Sequence, residues 1–240
     1  MTASVRRAVR LEHRLTQPTA SLDDLEAAVA LASEHELASL TVNPWLVKAA
    51  KRHLGRSRVT LGTVIGFPHG SSTTATKVFE ARDALANGAT ELDMVIQIGA
   101  LRSGRDQDVR DDIAAVVAMA HEAGAIVKVI LENAYLTDEE KERGSRLAEA
   151  AGAEFVKTST GYAPSGATDE DLALMRRVTG THVQVKAAGG IRTLDDLVRV
   201  MNLGVTRIGA TQTKAMLDDF RARRGGAAAV APTTSDEGAY

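Results

Sequence analysis

Two hydrophobic patterns alternate along this chain. Short apolar runs, rich in β-branched residues, are typical of buried strands, and longer stretches with apolar residues three or four positions apart are typical of amphipathic helices. The first pattern predicts eight strands, at residues 9–13, 38–43, 59–66, 91–97, 126–132, 155–159, 183–188 and 207–210. The second predicts eight helices, at residues 22–35, 44–54, 74–87, 106–123, 138–151, 169–178, 194–202 and 211–223. Thr137, Thr168 and Thr193 precede acidic first turns and are predicted N-caps.

Eight strand–helix units within residues 1–224 match the architecture of a TIM (β/α)8 barrel. A doubly wound open sheet is the alternative, but it favours fewer strands and a glycine-rich turn after the first strand, which this sequence lacks. We therefore predict one α/β domain, a TIM barrel over residues 1–224. Residues 225–240 lose the helical periodicity and predict a flexible C-terminal tail.

Charged residues fall on the predicted inner face of the barrel. Side chains alternate between the two faces of a strand. Placing the most apolar face of each strand against the helices leaves these residues pointing inward: Glu12, Asp93, Val95, Gln97, Lys128, Ile130, Glu132, Lys157, Gln184 and Lys186. The centre of a TIM barrel is ordinarily filled by Val, Ile and Leu. A polar interior built by several strands therefore indicates a functional site.

Lys157 and Lys186 are the pair that points to chemistry. They lie one strand–helix repeat apart, so we expect them at similar heights on neighbouring strands, about 4.8 Å from each other. Burial and a nearby cation both lower the pKa of a lysine, and a neutral amine is a nucleophile for carbonyl carbons. The alternative is a structural ion pair of each lysine with Asp93 or Glu12, or extension to the rim. The whole set favours the chemical interpretation, because burying three lysines with two or three acids contributes little stability.

Glycines near the last two strands predict a phosphate site. The segment KAAGGIRT places Gly189 and Gly190 after strand 7, and RIGAT places Gly209 after strand 8, before a helix that begins at Thr211. Phosphate-binding barrels hold their ligand at these two loops, with backbone N–H groups and a helix N-terminus. The alternative is that the glycines serve tight turns alone.

Composition and charge exclude several classes of function. The net charge is −2, without the basic stripe and stacking aromatics of a nucleic-acid-binding protein. The chain has no cysteine, which excludes thiolate metal sites and cysteine nucleophiles, and its six histidines are scattered. No apolar run approaches the ~18 residues that span a membrane. We expect a cytoplasmic protein that binds no metal, nucleic acid or membrane.

Several motifs together resemble those of the deoxyribose-phosphate aldolases, which are class I (Schiff-base) aldolases with a TIM-barrel fold. The resemblance runs from about residue 8 to about residue 220, through GFPHGSSTTATKVFEARDALANGATELDMVIQIGAL, VKVILE, AGAEFVKTSTGY, VKAAGGIRT and GVTRIGAT. It implies reversible cleavage of 2-deoxy-D-ribose 5-phosphate to D-glyceraldehyde 3-phosphate and acetaldehyde, with no metal or organic cofactor. It also implies sugar phosphates and aldehydes as partners, and a homodimer or homotetramer.

The resemblance assigns roles by motif. Lys157 matches the Schiff-base lysine, Lys186 the second lysine that lowers its pKa, and Asp93 the aspartate that relays protons through a water molecule. The predicted supporting residues are Glu12, Lys128 and the C-terminal Tyr240. The predicted phosphate-binding residues are Thr160, Gly161, Gly189, Gly190, Gly209 and Thr211.

The chain departs from the family pattern at four places. Leu11-Glu12-His13-Arg14 stands where the family usually has DHT, and Ala188 replaces the serine of KASGG. Thr211-Gln212 replaces a pair of serine-like residues, and Trp45 replaces a smaller residue. These changes bear on phosphate affinity and substrate range. Two alternatives remain: a Schiff-base aldolase for another aldehyde phosphate, and a non-catalytic sugar-phosphate sensor, which would need the phosphate loops but not the lysine pair.

Overall fold

The structure, a computed structural model, describes residues 10–224. Its strands are β1 (Arg10–Leu15), β2 (Ser39–Val42), β3 (Thr60–Ile65), β4 (Glu91–Val95), β5 (Ile126–Ile130), β6 (Phe155–Lys157), β7 (Gln184–Ala188) and β8 (Arg207–Ala210). Its helices are α1 (Leu22–Glu34), α2 (Val47–Leu54), α3 (Thr74–Ala86), α4 (Ile98–Arg102), α5 (Asp106–Glu122), α6 (Asp138–Ala150), α7 (Asp169–Val178), α8 (Leu194–Asn202) and α9 (Thr213–Arg224). Single 3₁₀ turns cover Pro44–Leu46 and Asn133–Tyr135.

The strands form a closed parallel barrel in chain order, with β8 paired to β1. The TIM-barrel prediction is therefore confirmed. Because all the strands run in the same direction, their carboxyl ends share one mouth of the barrel. The register places Lys157 directly opposite Lys186, as the repeat spacing predicts.

The strands separate apolar and charged residues as the alternation predicts. Leu92, Met94, Val127 and Val129 are fully buried and join the hydrophobic layer between the sheet and the helices. Leu11 packs in the same layer, which leaves the opposite face of β1 to point into the barrel. Three of the helices that close this layer are N-capped as predicted by Thr137, Thr168 and Thr193, whose side chains accept the capping hydrogen bonds.

Gln97 does not point into the barrel. The strand β4 ends at Val95, so the alternation stops there, and Gln97 donates a hydrogen bond of 3.1 Å to Asp112 Oδ1 on α5. Asp112 also accepts a 2.6 Å hydrogen bond from Lys77 Nζ on α3, and Lys77 donates to the carbonyl of Val95 at 2.9 Å. Lys77 and Asp112 are both fully buried. This pair ties the end of β4 to two helices and draws Gln97 away from the mouth.

Four other details differ from the sequence prediction. The helix predicted at 44–54 begins with a 3₁₀ turn, and the last helix begins at Thr213, two residues later than predicted. Helix α4 was not predicted, because its five residues are too short to show a period. Gly209 lies within β8 and not after it. Within the described part of the chain, no helix is both long and apolar enough to cross a membrane.

Candidate active site

Asp93 lies at the centre of the charged barrel interior. Its Oδ2 accepts hydrogen bonds from Lys157 Nζ at 2.8 Å and Lys186 Nζ at 2.7 Å, and its Oδ1 accepts one from Lys128 Nζ at 2.8 Å. These four side chains come from β4, β5, β6 and β7, and each is at least 96% buried. The structure thus brings together the three residues predicted to be catalytic, and it places Lys128 with them.

A second layer of ion pairs surrounds this centre. Glu12 accepts a hydrogen bond from Lys186 and another, of 2.6 Å, from Arg207. Glu91 accepts hydrogen bonds from Lys128 Nζ at 2.6 Å and from Arg207 Nη1 at 3.1 Å. Sequence reasoning missed Glu91 and Arg207, although strand alternation could have found Glu91, two positions before Asp93.

The charges of this interior balance when Lys157 is neutral. Three carboxylates (Glu12, Glu91 and Asp93) then face three cations (Lys128, Lys186 and Arg207). Burial alone would raise the pKa of Asp93, but Lys128, Lys157 and Lys186 hold that pKa well below its usual value. Burial likewise opposes ionisation of Glu12, yet Lys128 and Lys186 lower its pKa to about 2. The acids are therefore ionised at neutral pH.

The surroundings of Lys157 favour the loss of its proton. Burial lowers its pKa, Asp93 opposes that effect, and the neighbouring Lys186 lowers it further, to about 8. For Lys128 burial also favours the neutral form, but Asp93, Glu12 and Glu91 outweigh it and raise the pKa above its ordinary value. The pKa values of Lys128 and Lys157 are thus shifted in opposite directions, because different numbers of carboxylates surround the two amines. This separation is typical of sites that need one nucleophilic amine.

Glu132 adds a carboxyl group beside Lys157 that was predicted to face inward but was not assigned a role. It is buried and has a left-handed backbone conformation, with φ 58° and ψ 65°, which a residue other than glycine rarely adopts. Its carboxylate accepts hydrogen bonds from both the backbone and the hydroxyl of Thr160. Burial raises its pKa, against the opposing effects of Thr160 and Lys157. Glu132 thus holds the loop after β6, at the mouth where a substrate would enter.

The candidate phosphate residues gather at this mouth. Gly189 and Gly190 follow β7 with φ of 79° and 80°, a region that favours glycine. A Cβ on Gly189 would lie 2.9 Å from the Cα of Gly166, so the close approach of two loops requires glycine there. Thr211 is exposed just after β8. Gly209 instead lies beside Lys186, where a Cβ would be 3.5 Å from Lys186 Cε.

The two helix N-termini near these loops differ in charge. The first turn of helix α8 contains Asp195 and Asp196, and Asp196 already accepts hydrogen bonds from the backbone and hydroxyl of Thr193. Helix α9 has no acidic residue in its first turn. An anion is favoured at a helix N-terminus, and carboxylates at the same place repel it. The start of α9 is therefore the more favourable place for a phosphate.

Comparison with known proteins identifies the family. The model of the family described as DeoC/LacD family aldolase matches residues 8–227 of the chain. The chain belongs to this family. It is 50% identical over 201 residues to the deoxyribose-phosphate aldolase of Staphylococcus haemolyticus. This matched region covers 84% of this chain and 90% of the other protein. The match to deoxyribose-phosphate aldolase 2 of Bacillus licheniformis has the same identity and coverage.

A solved structure agrees with the fold of this aldolase. The tetrameric deoxyribose phosphate aldolase of Aeropyrum pernix superposes with a TM-score of 0.85 at 29% identity, over 93% of this chain and 94% of the other. The barrel and the aldolase family predicted from the sequence motifs are therefore confirmed.

The family departures lie around the mouth of this aldolase. Ala188 is buried at the end of β7, where its carbonyl accepts a hydrogen bond from the Thr158 hydroxyl at 3.1 Å. Trp45 lies in the 3₁₀ turn after β2 and is 59% exposed. Tyr240 lies outside the described residues, so its predicted supporting role stays a prediction.

Proposed function

We propose that this protein cleaves 2-deoxy-D-ribose 5-phosphate reversibly to D-glyceraldehyde 3-phosphate and acetaldehyde, through a Schiff base on Lys157. The observation that carries the proposal is the shared hydrogen-bond acceptor, since Asp93 Oδ2 accepts from both Lys157 Nζ and Lys186 Nζ. The pKa of Lys157 is lowered to about 8, so a useful fraction of the nucleophile is neutral at physiological pH. The names of the relatives supply the substrate.

The first half of the reaction forms the carbon–nitrogen bond. The neutral Nζ of Lys157 attacks the C1 carbonyl of the open-chain sugar, and loss of water from the resulting carbinolamine leaves an iminium ion. Lys186 forms ion pairs with Glu12 and Asp93, and its positive charge favours the neutral form of Lys157. Its ammonium group is also a proton donor for the departing hydroxyl. Asp93 lies within hydrogen-bond distance of both amines and is positioned to pass protons between them.

The second half breaks the C2–C3 bond. The electrons of this bond move into the iminium, which becomes an enamine, while a base removes the proton of the C3 hydroxyl. C3 thereby becomes the aldehyde carbon of glyceraldehyde 3-phosphate. A proton must then be added to the enamine carbon before hydrolysis releases acetaldehyde and the free lysine. We assign both proton transfers, from the hydroxyl and to the enamine carbon, to Asp93 acting through water. Glu132 is a nearby carboxyl group whose pKa is raised.

Two other activities fit the same barrel less well. A sugar-phosphate sensor needs an anion site at the mouth, but it has no use for an amine whose pKa is lowered in the interior. A Schiff-base aldolase for another aldehyde phosphate would share Lys157 and differ at the mouth, where Ala188 and Trp45 depart from the family pattern. Comparison of kcat/KM across aldehyde phosphates separates this second activity from the proposed one.

Reductive trapping tests the Schiff base. The protein is incubated with acetaldehyde and borohydride, and the adduct is located by peptide mass spectrometry. We expect a two-carbon adduct on Lys157 and none on Lys128, an internal control in the same cluster whose pKa is raised instead of lowered. Trapping mainly on Lys186, or none at all, would contradict the assignment. Lys157→Met is expected to abolish both the adduct and cleavage.

We also propose that the protein acts in the cytoplasm as a homo-oligomer. The support is its family of metabolic enzymes and the tetrameric relative from Aeropyrum pernix. Light scattering of the purified chain measures the oligomeric state directly.

A further inference from the structure

Arg14 reaches from the first strand into the mouth of the barrel. It lies two residues beyond Glu12 and therefore on the same inner face of β1, nearer the carboxyl end of the strand. Its Nη1 donates a 2.8 Å hydrogen bond to the backbone carbonyl of Thr160. Thr160 is three residues past Lys157 and is held by Glu132. An arginine of β1 is thus anchored beside the candidate nucleophile.

The strand order fixes the part of the mouth that Arg14 crosses. In the closed barrel β1 pairs with β8 and β6 pairs with β7, so β7 and β8 fill the shorter arc between β1 and β6. A side chain that extends from β1 to the loop after β6 lies over this arc. The loops that follow β7 and β8 are the candidate phosphate loops, and α9, whose first turn has no acidic residue, begins there. The guanidinium therefore lies in the sector of the mouth that best suits an anion.

Several N–H donors of the Arg14 guanidinium are available to a ligand. The guanidinium carries five N–H groups, and between residues 10 and 224 its one hydrogen-bond acceptor is Thr160 O, with no carboxylate paired to it. Gly161 makes room for it, because any side chain at that position would collide with Arg14 Nη1. Burial lowers the pKa of Arg14, which is the behaviour of a cation that gains from an anionic partner.

Two aromatic residues narrow the same opening. Tyr162, next to Gly161, donates from its hydroxyl to the carbonyl of Thr16 at 2.9 Å, and its ring meets that of Phe67 edge-on at 5.4 Å between centroids. These contacts join the loops after β6, β1 and β3 across the mouth. Arg14 itself is partly buried, and a charge contact is stronger where less water surrounds it.

We propose that Arg14 binds the phosphate monoester of the substrate and sets the preference for the phosphorylated over the unphosphorylated sugar. This inference rests on the proposed function. A guanidinium matches two phosphate oxygens with two parallel N–H donors. Arg14 stands at the last position of the family's usual DHT, while Ala188 and Gln212 stand where the family has small hydroxylated residues. A cation from β1 would compensate for the hydroxyl that Ala188 lacks at the end of β7.

Arg14→Met tests the proposal, with Arg14→Lys as the conservative variant and Arg110→Met as the control. Arg110 is on α5, with its side chain 49% exposed. Steady-state kinetics are measured with deoxyribose 5-phosphate and with deoxyribose, and binding of inorganic phosphate is measured by calorimetry. We expect Arg14→Met to raise KM for the phosphate ester about 10- to 100-fold and to weaken phosphate binding by a similar factor. Kinetics with deoxyribose stay unchanged, Arg14→Lys keeps part of the affinity, and Arg110→Met behaves as wild type.

Other outcomes would overturn the role of Arg14. Equal losses of kcat for both substrates would mean that Arg14 positions the loop after β6 and does not bind phosphate. Higher activity of Arg14→Met on the phosphate ester would mean that the arginine obstructs the pocket, and unchanged phosphate binding would also contradict the proposal. The calorimetric measurement needs no turnover. A wild-type protein that cleaves neither sugar, but whose phosphate binding depends on Arg14, would therefore refute the proposed function and leave the phosphate-binding role of Arg14 standing.

Discussion

Lys186→Leu tests whether a neighbouring cation sets the pKa of Lys157. Both amines donate to Asp93 Oδ2, so their charges repel at short range. Two unit charges about 5 Å apart interact by about 3 kcal/mol at an effective dielectric constant of about 20, which corresponds to about 2 pKa units. Because relaxation of the site absorbs part of this energy, we expect the pKa of Lys157 to rise by about 1 to 2 units, from about 8 toward its ordinary value of 10.5.

The sign of the change gives a clear prediction for activity. Cleavage needs the neutral amine, so kcat/KM of the wild type rises with pH through about 8 and then levels off. In Lys186→Leu the same rise is expected about 1 to 2 pH units higher, with roughly 10- to 100-fold lower kcat/KM near neutral pH. Glu12 keeps Arg207 and Lys128 as ion-pair partners, so the variant does not leave an unpaired carboxylate.

The assay is the pH profile of kcat/KM, with far-UV circular dichroism to check folding. Lys186→Arg is the matched control, because it keeps the positive charge and is expected to keep the inflection near its wild-type position. The rate of trapping of Lys157 by acetaldehyde and borohydride gives an independent titration of the same amine. An inflection that stays near 8 in Lys186→Leu would refute the reasoning, because the low pKa would then come from burial alone.

Two further predictions concern stability. Asp112→Asn leaves Lys77 charged and poorly paired in a fully buried position, so we expect a loss of about 3–5 kcal/mol in the free energy of unfolding by urea. The double variant Lys77→Met/Asp112→Leu should lose less than Asp112→Asn, and a larger loss would show that the pair itself is stabilising. Gly189→Ala should destabilise the protein more than Gly190→Ala, since both have positive φ but a Cβ on Gly189 meets Gly166 and one on Gly190 meets nothing within 4 Å. Equal melting temperatures for these two variants would contradict the close contact between the loops.

The sequence predicted the features that depend on local periodicity. Alternation within β4, β5, β6 and β7 is enough to separate the apolar face from the face that carries Asp93, Lys128, Lys157 and Lys186. The repeat spacing placed Lys157 beside Lys186 because each βα unit returns the chain to the next strand at a similar height. The prediction failed for Gln97, where the strand ends and the alternation no longer applies.

The tertiary structure decided the contacts that closure of the barrel creates. Arg207 and Glu91 are 116 residues apart, and Arg14 and Thr160 are 146 residues apart. No periodic pattern links such positions, because their distance is set by strand register and by the pairing of β8 with β1. The pKa of Lys157 also depends on tertiary structure, because burial and the charges of Asp93 and Lys186 on other strands set it. The sequence by itself therefore determined which side chains enter the interior, and the closed barrel decided which of them meet and which amine loses its charge.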